Sequence, residues 1–225
     1  RQLLMRISCK NSRTRGRLRA VRNKASMDAG WRPLERHDKG MSRLPAGSCV
    51  LISPLASIDS GSLELGQGIA RVFCACPDSD GMTIGFLQAG EAIRPDRLCS
   101  DSICMEAITD VAICQLSNDV STPEMESINE WTMQLLRIHH LGRAEHRLQA
   151  LICLLVNRLG KRCGDWCVLP FRPSHERIAE LIGTTRVTTT RLLSRLRAEG
   201  QILIPSAGTS LYINPHFLDV TPQGA

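Results

Sequence analysis

Between Ser174 and Ile204 the chain reads "SHERIAELIGTTRVTTTRLLSRLRAEGQILI", and this stretch restricts the fold more than any other. Ser174 is placed to cap a short helix, with Ile178, Leu181 and Ile182 on its apolar side. Gly183 breaks that helix. The next one opens on poor helix formers: six of the seven residues from Thr184 to Thr190 are Thr or Val, whose branched side chains lose freedom against the preceding turn. Two β runs around Ser206–Thr209 follow, over "QILIPSAGTSLYI". Helix, turn, helix and hairpin in that order predict a winged helix-turn-helix.

A helical wheel explains the costly opening. At about 100° per residue, Thr189, Leu192, Leu193 and Leu196 fall on one face, which is expected to pack on the domain. Val187, Arg191 and Ser194 fall opposite, flanked by Arg186, Thr190 and Arg195. Helix propensity is easily overridden by packing, and a Thr-rich start suits a surface facing DNA. Thr hydroxyls can bond phosphate oxygens, Thr and Val methyls can touch the thymine methyl, and Arg forks can take guanine O6 and N7. The expected DNA-binding residues are therefore Thr184, Thr185, Arg186, Val187, Thr190, Arg191 and Ser194. Thr184 is also expected to be the N-cap. His175, Arg177 and Arg195 are expected to touch the DNA backbone, if they touch DNA at all.

Upstream the periodicity differs. From Gly47 to about Ser117, short β-rich runs alternate with Gly, Pro, Asp and Ser: 48–52, 63–65, 69–76, 82–87, 103–108 and 111–116. "PDSDG" at 77–81 reads as a hairpin connection and Thr109-Asp110 as a tighter one. This spacing predicts a small antiparallel barrel or double sheet. After Pro123, Met125, Ile128, Thr132, Leu135, His139 and Gly142 recur at three and four, broadened by Trp131, Ile138 and Leu141. Such a helix can pack on its own sheets and also pair with its twin in a dimer. A second apolar helix is expected over 144–160, and an irregular stretch or short strand over 161–173.

Charge is segregated along the chain. Residues 1–24 carry nine Lys or Arg and no acid, 25–142 carry eight bases against sixteen acids, and 143–225 carry eleven against six. The basic C-terminal third is where an anionic partner, double-stranded DNA, is expected to dock. Residues 1–30 are expected to form a disordered basic arm, or in part to be upstream sequence, with Met5 and Met27 as alternative starts. No apolar run is long enough for a membrane span; the longest is "ALICLLV" at 150–156. No secretory signal is evident, which suggests a cytoplasmic protein without a membrane partner. The ten cysteines are read mostly as reduced thiols packed as small hydrophobes. Their spacings, Cys74-x-Cys76, Cys99-x4-Cys104 and Cys163-x3-Cys167, suit metal poorly, so no metal site is expected.

Sheet domain, long helix and winged helix-turn-helix, over roughly 44–215, resemble the cAMP receptor protein/FNR family of bacterial transcription regulators. "GIARVFCACPDSDGMTIGFLQAGEAI" is similar to that family's β-roll, and 174–204 to its recognition motif. Within the family, "GTTRVTTTRLL" is most similar to the cyanobacterial global nitrogen regulator, which has Arg-Val where the cAMP receptor protein has Arg-Glu. The resemblance implies an α+β fold: a basic arm over 1–30, an antiparallel β-roll over 31–120, a dimerisation helix over 121–142 and the winged helix-turn-helix over 143–225. It implies a homodimeric, sequence-specific DNA-binding regulator rather than an enzyme, and an activator that touches RNA polymerase. A palindrome with GTA and TAC half-sites is the expected operator, read in response to a nutrient or metabolic signal.

The resemblance weakens at the effector site. Family members that bind cAMP have an Arg-Ser pair in a cassette after the Gly-Glu segment. Here "GEAIRPDRLCSDSICMEAI" is shortened and lacks that pair, so cAMP is not expected. The nitrogen regulator binds 2-oxoglutarate, which is the candidate effector; the effector-binding residues are unassigned. Arg94 and Arg97 are either anion ligands or exposed loop charges. Two variants stay open: an effector-independent regulator, and a redox-controlled one using Cys99, Cys104, Cys163 or Cys167. A cupin-like metal enzyme is disfavoured, because all six His lie outside the expected strands.

Overall fold

The computed structural model describes residues 6–7, 41–52, 62–75, 81–95, 98, 103–115, 124–206 and 208–219. The expected basic arm (apart from 6–7), the "PDSDG" connection before Gly81, and Arg97 and Cys99 lie outside the described residues. The chain divides into two units, Arg1–Trp131 and Thr132–Ala225.

The first unit holds β1 (Arg6–Ile7), β2 (Met41–Leu44), β3 (Cys49–Leu51), β4 (Leu63–Gln67), β5 (Ile69–Cys74), β6 (Met82–Gln88), β7 (Ala92–Ile93), β8 (Ile103–Ala107) and β9 (Val111–Gln115). They form two open antiparallel sheets, ordered β1-β3-β8-β5-β6 and β2-β9-β4-β7. Alternation along each strand fills the space between them. Val50, Val72, Leu87, Ile103 and Met105 of the first sheet meet Leu44, Leu65, Ile93, Val111 and Ile113 of the second in one apolar cluster.

One expected hairpin is not a hairpin. Thr109-Asp110 joins β8 to β9, which belong to different sheets. The two side chains fasten this crossover: Thr109 Oγ1 accepts from Ile69 N at 2.9 Å, and Asp110 Oδ1 from Ala46 N at 2.8 Å. Both partners are more than thirty residues away in sequence, so a local reading sees only turn residues. Strands β2 and β7 were also not anticipated; β7 is only two residues long.

Helix α1 (Glu124–His139) starts in this unit. Ile128 and Trp131 are buried, and the Trp131 ring lies 5.2 Å from that of Phe86 at 57°. The helix needs Gly85 beneath it: a Cβ there would come within 2.7 Å of Trp131 Cβ and 3.0 Å of Ile128 Cδ1.

The second unit continues with α2 (Ala144–Leu159), β10 (Lys161–Cys163), β11 (Trp166–Leu169), α3 (His175–Leu181), α4 (Arg186–Ala198), β12 (Ile202–Leu203), β13 (Leu211–Ile213) and α5 (Pro215–Asp219). The stretch after α2 is thus a regular hairpin, and it extends the wing into a sheet ordered β10-β11-β13-β12. Leu148, Leu151 and Leu155 of α2, Ile178 of α3, Leu193 of α4 and Ile213 of β13 line the core of this unit.

Candidate nucleic-acid interface

The interface is built on the turn between α3 and α4. Ser174 caps α3, its side chain accepting from Arg177 N at 3.1 Å. At the other end Gly183 sits at φ +59°, where Thr184 N donates to Ala179 O at 2.9 Å and Gly183 N to Glu180 O at 3.3 Å. This six-to-one and five-to-two pair is the Schellman closure that a left-handed residue permits. It occupies Thr184, so the cap of α4 moves one residue on from the expected Thr184 to Thr185. Thr185 Oγ1 accepts from Thr188 N at 3.2 Å and shares a hydrogen bond with Thr188 Oγ1 at 3.0 Å.

Helix α4 buries Thr189, Leu192, Leu193 and Leu196 and exposes Arg186, Val187, Arg191, Ser194 and Arg195. Val187 is 61 % exposed, although it is apolar and central to the outer face. Burial of the opposite leucine face overrides the poor propensity of the Thr-rich start.

Several expected DNA contacts are instead tied to protein neighbours. Thr190 Oγ1 donates to Arg186 O at 2.9 Å and lies 2.8 Å from His175 Nδ1. With its proton committed to Arg186 O, the hydroxyl accepts from Nδ1–H, so His175 and Thr190 clamp α3 to α4. Arg177 pairs with Glu180 at 3.1 Å, one helical turn on. Arg195 donates to Glu145 of α2 at 2.8 Å, with Glu199 at 3.7 Å. The hydrogen bond and charge of Arg195 hold the Glu145 carboxyl below the ordinary carboxylate range, and Glu145 reciprocally raises Arg195. Arg186 is held only loosely, 3.5 Å from Glu176 with both side chains more than half exposed. Arg191 and Ser194 make no side-chain hydrogen bond or ion pair among the described residues. The outward chemistry of α4 therefore concentrates on Val187, Arg191 and Ser194, with Arg186 beside them.

The expected dimer seam divides between two sides of α1. Ile128 and Leu135 are buried within the single chain, at 1 % and 5 % exposure. Thr132, His139 and Gly142 are exposed, and Gly142 lies beyond the helix end. Met125 is on the helix, but its side chain is outside the described residues. The large apolar side chains that α1 does expose are Met133 at 58 % and Leu136 at 51 %. The spacing of the sequence follows Ile128 and Leu135 instead, and those two are buried in the chain's own core.

The sulfur chemistry is also placed differently. On the β10–β11 hairpin Cys163 opposes Trp166 and Cys167 opposes Arg162, so the two thiols point to opposite faces. Cys104 instead meets Cys49 across β3 and β8; that hydrogen bond lowers the Cys104 thiol against the opposing effect of burial, with Arg71 adding to the lowering. Burial pushes the Cys153 thiol up. Among the described residues no group of three or more His, Cys, Asp or Glu could hold a metal ion, and no helix is long and apolar enough to cross a membrane.

Among the described residues, the cluster packed between the two sheets is apolar. Arg71 lies on the other face of its sheet, 1 % exposed. Its Nε donates to Thr83 Oγ1 at 2.7 Å, Nη2 to Gly81 O at 2.8 Å and Nη1 to Glu106 Oε2 at 3.0 Å, with the guanidinium over Phe73.

Comparison with known proteins gives concordant matches for both halves. Residues 42–128 match the model of the cyanobacterial CRP family N-terminal domain, and 146–214 that of the Crp-like helix-turn-helix domain. The chain is 31 % identical over 170 residues to the regulatory protein CysR of Synechococcus elongatus, covering 70 % of this chain and 81 % of that protein. It is 43 % identical over 58 residues to the global nitrogen regulator of a Nostoc species, 26 % of each. A CRP-family transcriptional regulator of Thermus thermophilus shares the fold, with a TM-score of 0.60 at 18 % identity over 82 % of this chain and all of the other.

Proposed function

The chain belongs to the cAMP receptor protein/FNR family of transcription regulators, and from that premise we propose that it is a homodimer that reads a two-fold symmetric DNA operator through α4. The observation that carries this reading is the division of α4. Four residues anchor it, while Val187, Arg191 and Ser194 face outward, the last two without protein partners among the described residues. Arg191 has the fork to bind a guanine edge, Val187 the methyls to meet thymine, and Ser194 a hydroxyl for phosphate or base. Thr185 caps the exposed start of the helix, whose backbone N–H groups favour a phosphate, and Thr184 stands half-buried just before it. The likeness to the nitrogen regulator supports GTA and TAC half-sites, about 34 Å apart in a dimer.

The dimer forms through the exposed Met133 and Leu136 of α1, with Thr132 alongside. Leu136→Glu is expected to shift the protein toward monomer in sedimentation, because it places a charge in an apolar contact. The regulator acts in the cytoplasm, activates promoters by contact with RNA polymerase, and answers a nutrient or metabolic signal. A second reading, control without a small-molecule effector, is favoured by the shortened segment after Gly90-Glu91, which lacks the Arg-Ser pair. Operator affinity unchanged by cAMP and by 2-oxoglutarate is its expected result.

Selection from a randomised duplex pool, at one fixed salt concentration, tests the main reading. A GTA/TAC palindrome should enrich with the wild type, be lost with Arg191→Ala and change in sequence with Val187→Glu. Weak binding that is uniform across sequences would remove it.

A further inference from the structure

The end of α1 and the turn of the helix-turn-helix meet at two residues. A Cβ placed on Gly183 would lie 2.9 Å from His139 Nδ1 and 3.1 Å from its Cε1, so the imidazole rests directly against this glycine. The turn is thus restricted twice, by the left-handed backbone that closes α3 and by the ring above it. Just beyond His139, Arg147 of α2 donates through Nη1 to Leu141 O at 2.8 Å and Gly142 O at 3.4 Å, fixing the chain where α1 ends. Beyond Gly183, the His175–Thr190 hydrogen bond ties α3 to α4.

We propose that His139 is a positioning residue for DNA recognition, its ring seated on Gly183 and setting where the turn, and with it Thr185 to Val187, stands relative to the end of α1. Both residues are exposed, so it is this one contact, not a surrounding core, that limits how near the turn can stand to the end of α1. Any shift or rotation of the last turn of α1 therefore reaches α4 through this contact, three residues before Arg186. The inference rests on the reading of α4 as the DNA reader and adds the residue that aims it. His139 falls in the stripe that sequence periodicity assigns to the dimer seam; its contact with Gly183 gives it a separate task.

The test uses the full chain, a duplex enriched by the wild type, a scrambled duplex, and thermal unfolding measured in parallel. Gly183→Ala should weaken binding to the enriched duplex by about tenfold or more, through clash and strained backbone together. His139→Ala should reduce discrimination between the duplexes by about three- to tenfold, while binding to the scrambled duplex stays the same because no phosphate-facing charge has changed. His139→Phe, which keeps a planar ring on Gly183, should restore discrimination. In the His139→Ala/Gly183→Ala double variant, affinity should return to within about threefold of His139→Ala alone. Its unfolding temperature should stay as low as that of Gly183→Ala, since the backbone strain persists.

A double variant as weak as Gly183→Ala overturns the proposal, as does His139→Ala with full discrimination. If Gly183→Ala does not fold, the His139→Ala and His139→Phe pair decides. A wild type that enriches no duplex overturns the DNA reading and this proposal together. Normal wild-type binding with an unaffected His139→Ala overturns this proposal alone.

Discussion

In the roll, Arg71 is sealed among Thr83, Gly81 and Glu106. On α4, Arg191 is exposed and makes no ion pair among the described residues. The two guanidinium groups have the same donors and opposite surroundings. A buried cation whose donors are met by its own fold is a structural part, whereas a solvated one on a rigid helix keeps its fork for a partner. The first unit commits its buried guanidinium to its own fold. The second displays the chemistry that its relatives' fold is built to present. Reading this family from chemistry therefore begins at α4.

The largest expected effect would test the first side of that contrast. Arg71→Ala removes a buried cation with its hydrogen bonds to Thr83 Oγ1 and Gly81 O and its ion pair with Glu106, so the roll should lose about 3 kcal/mol or more of stability. Denaturant unfolding followed by Trp131, which packs on Phe86 in the same unit, would report it. An unaltered transition would make Arg71 a free cation and break the comparison. The next effect tests the other side. Arg191→Ala should cost about 1–3 kcal/mol in affinity for the enriched operator, with stability within about 0.5 kcal/mol of wild type. A fall in stability without a fall in affinity would assign Arg191 to the fold instead.

This division follows how far each feature depends on distant residues. The buried face of α4 was legible because Thr189, Leu192, Leu193 and Leu196 share one helical period within eight residues. The cap at Ser174 was legible for the same reason. The cap of α4 was misplaced by one residue because the closure at Gly183 consumes Thr184, and that closure depends on backbone geometry rather than residue type. Thr190 carries a hydroxyl suited to phosphate, yet His175, fifteen positions earlier, takes it. Arg71 finds partners at 81, 83 and 106, so nothing local distinguishes it from a surface charge. On α1 a spacing of three and four marks a stripe, but it does not say whether each of its residues meets the chain's own core or stands outside. Ile128 lies in the roll's own core, and Met133 and Leu136 remain outside.

The smallest effect concerns a charge that sits between the two cases. Arg195 lies on the flank of the reading face, half exposed, and Glu145 of α2 holds it at 2.8 Å. An exposed pair of this kind contributes under about 1 kcal/mol, so Glu145→Gln should lower stability near neutral pH only slightly. Its pH dependence identifies the source. Arg195 lowers the Glu145 carboxyl in the folded chain relative to the unfolded one. The pair's contribution is therefore complete above the ordinary carboxylate range and is lost as pH falls through the lowered folded-state value. Wild type and Glu145→Gln should differ in thermal stability at pH 7 and converge in acid, where the wild-type carboxyl is protonated. The same substitution leaves Arg195 only its longer contact with Glu199 and makes it more available to phosphate, so binding to enriched and scrambled duplexes should rise together and steepen in its salt dependence. A gain confined to the enriched duplex would instead make Arg195 a base reader, and the tether to Glu145 would then act on sequence choice rather than on affinity alone.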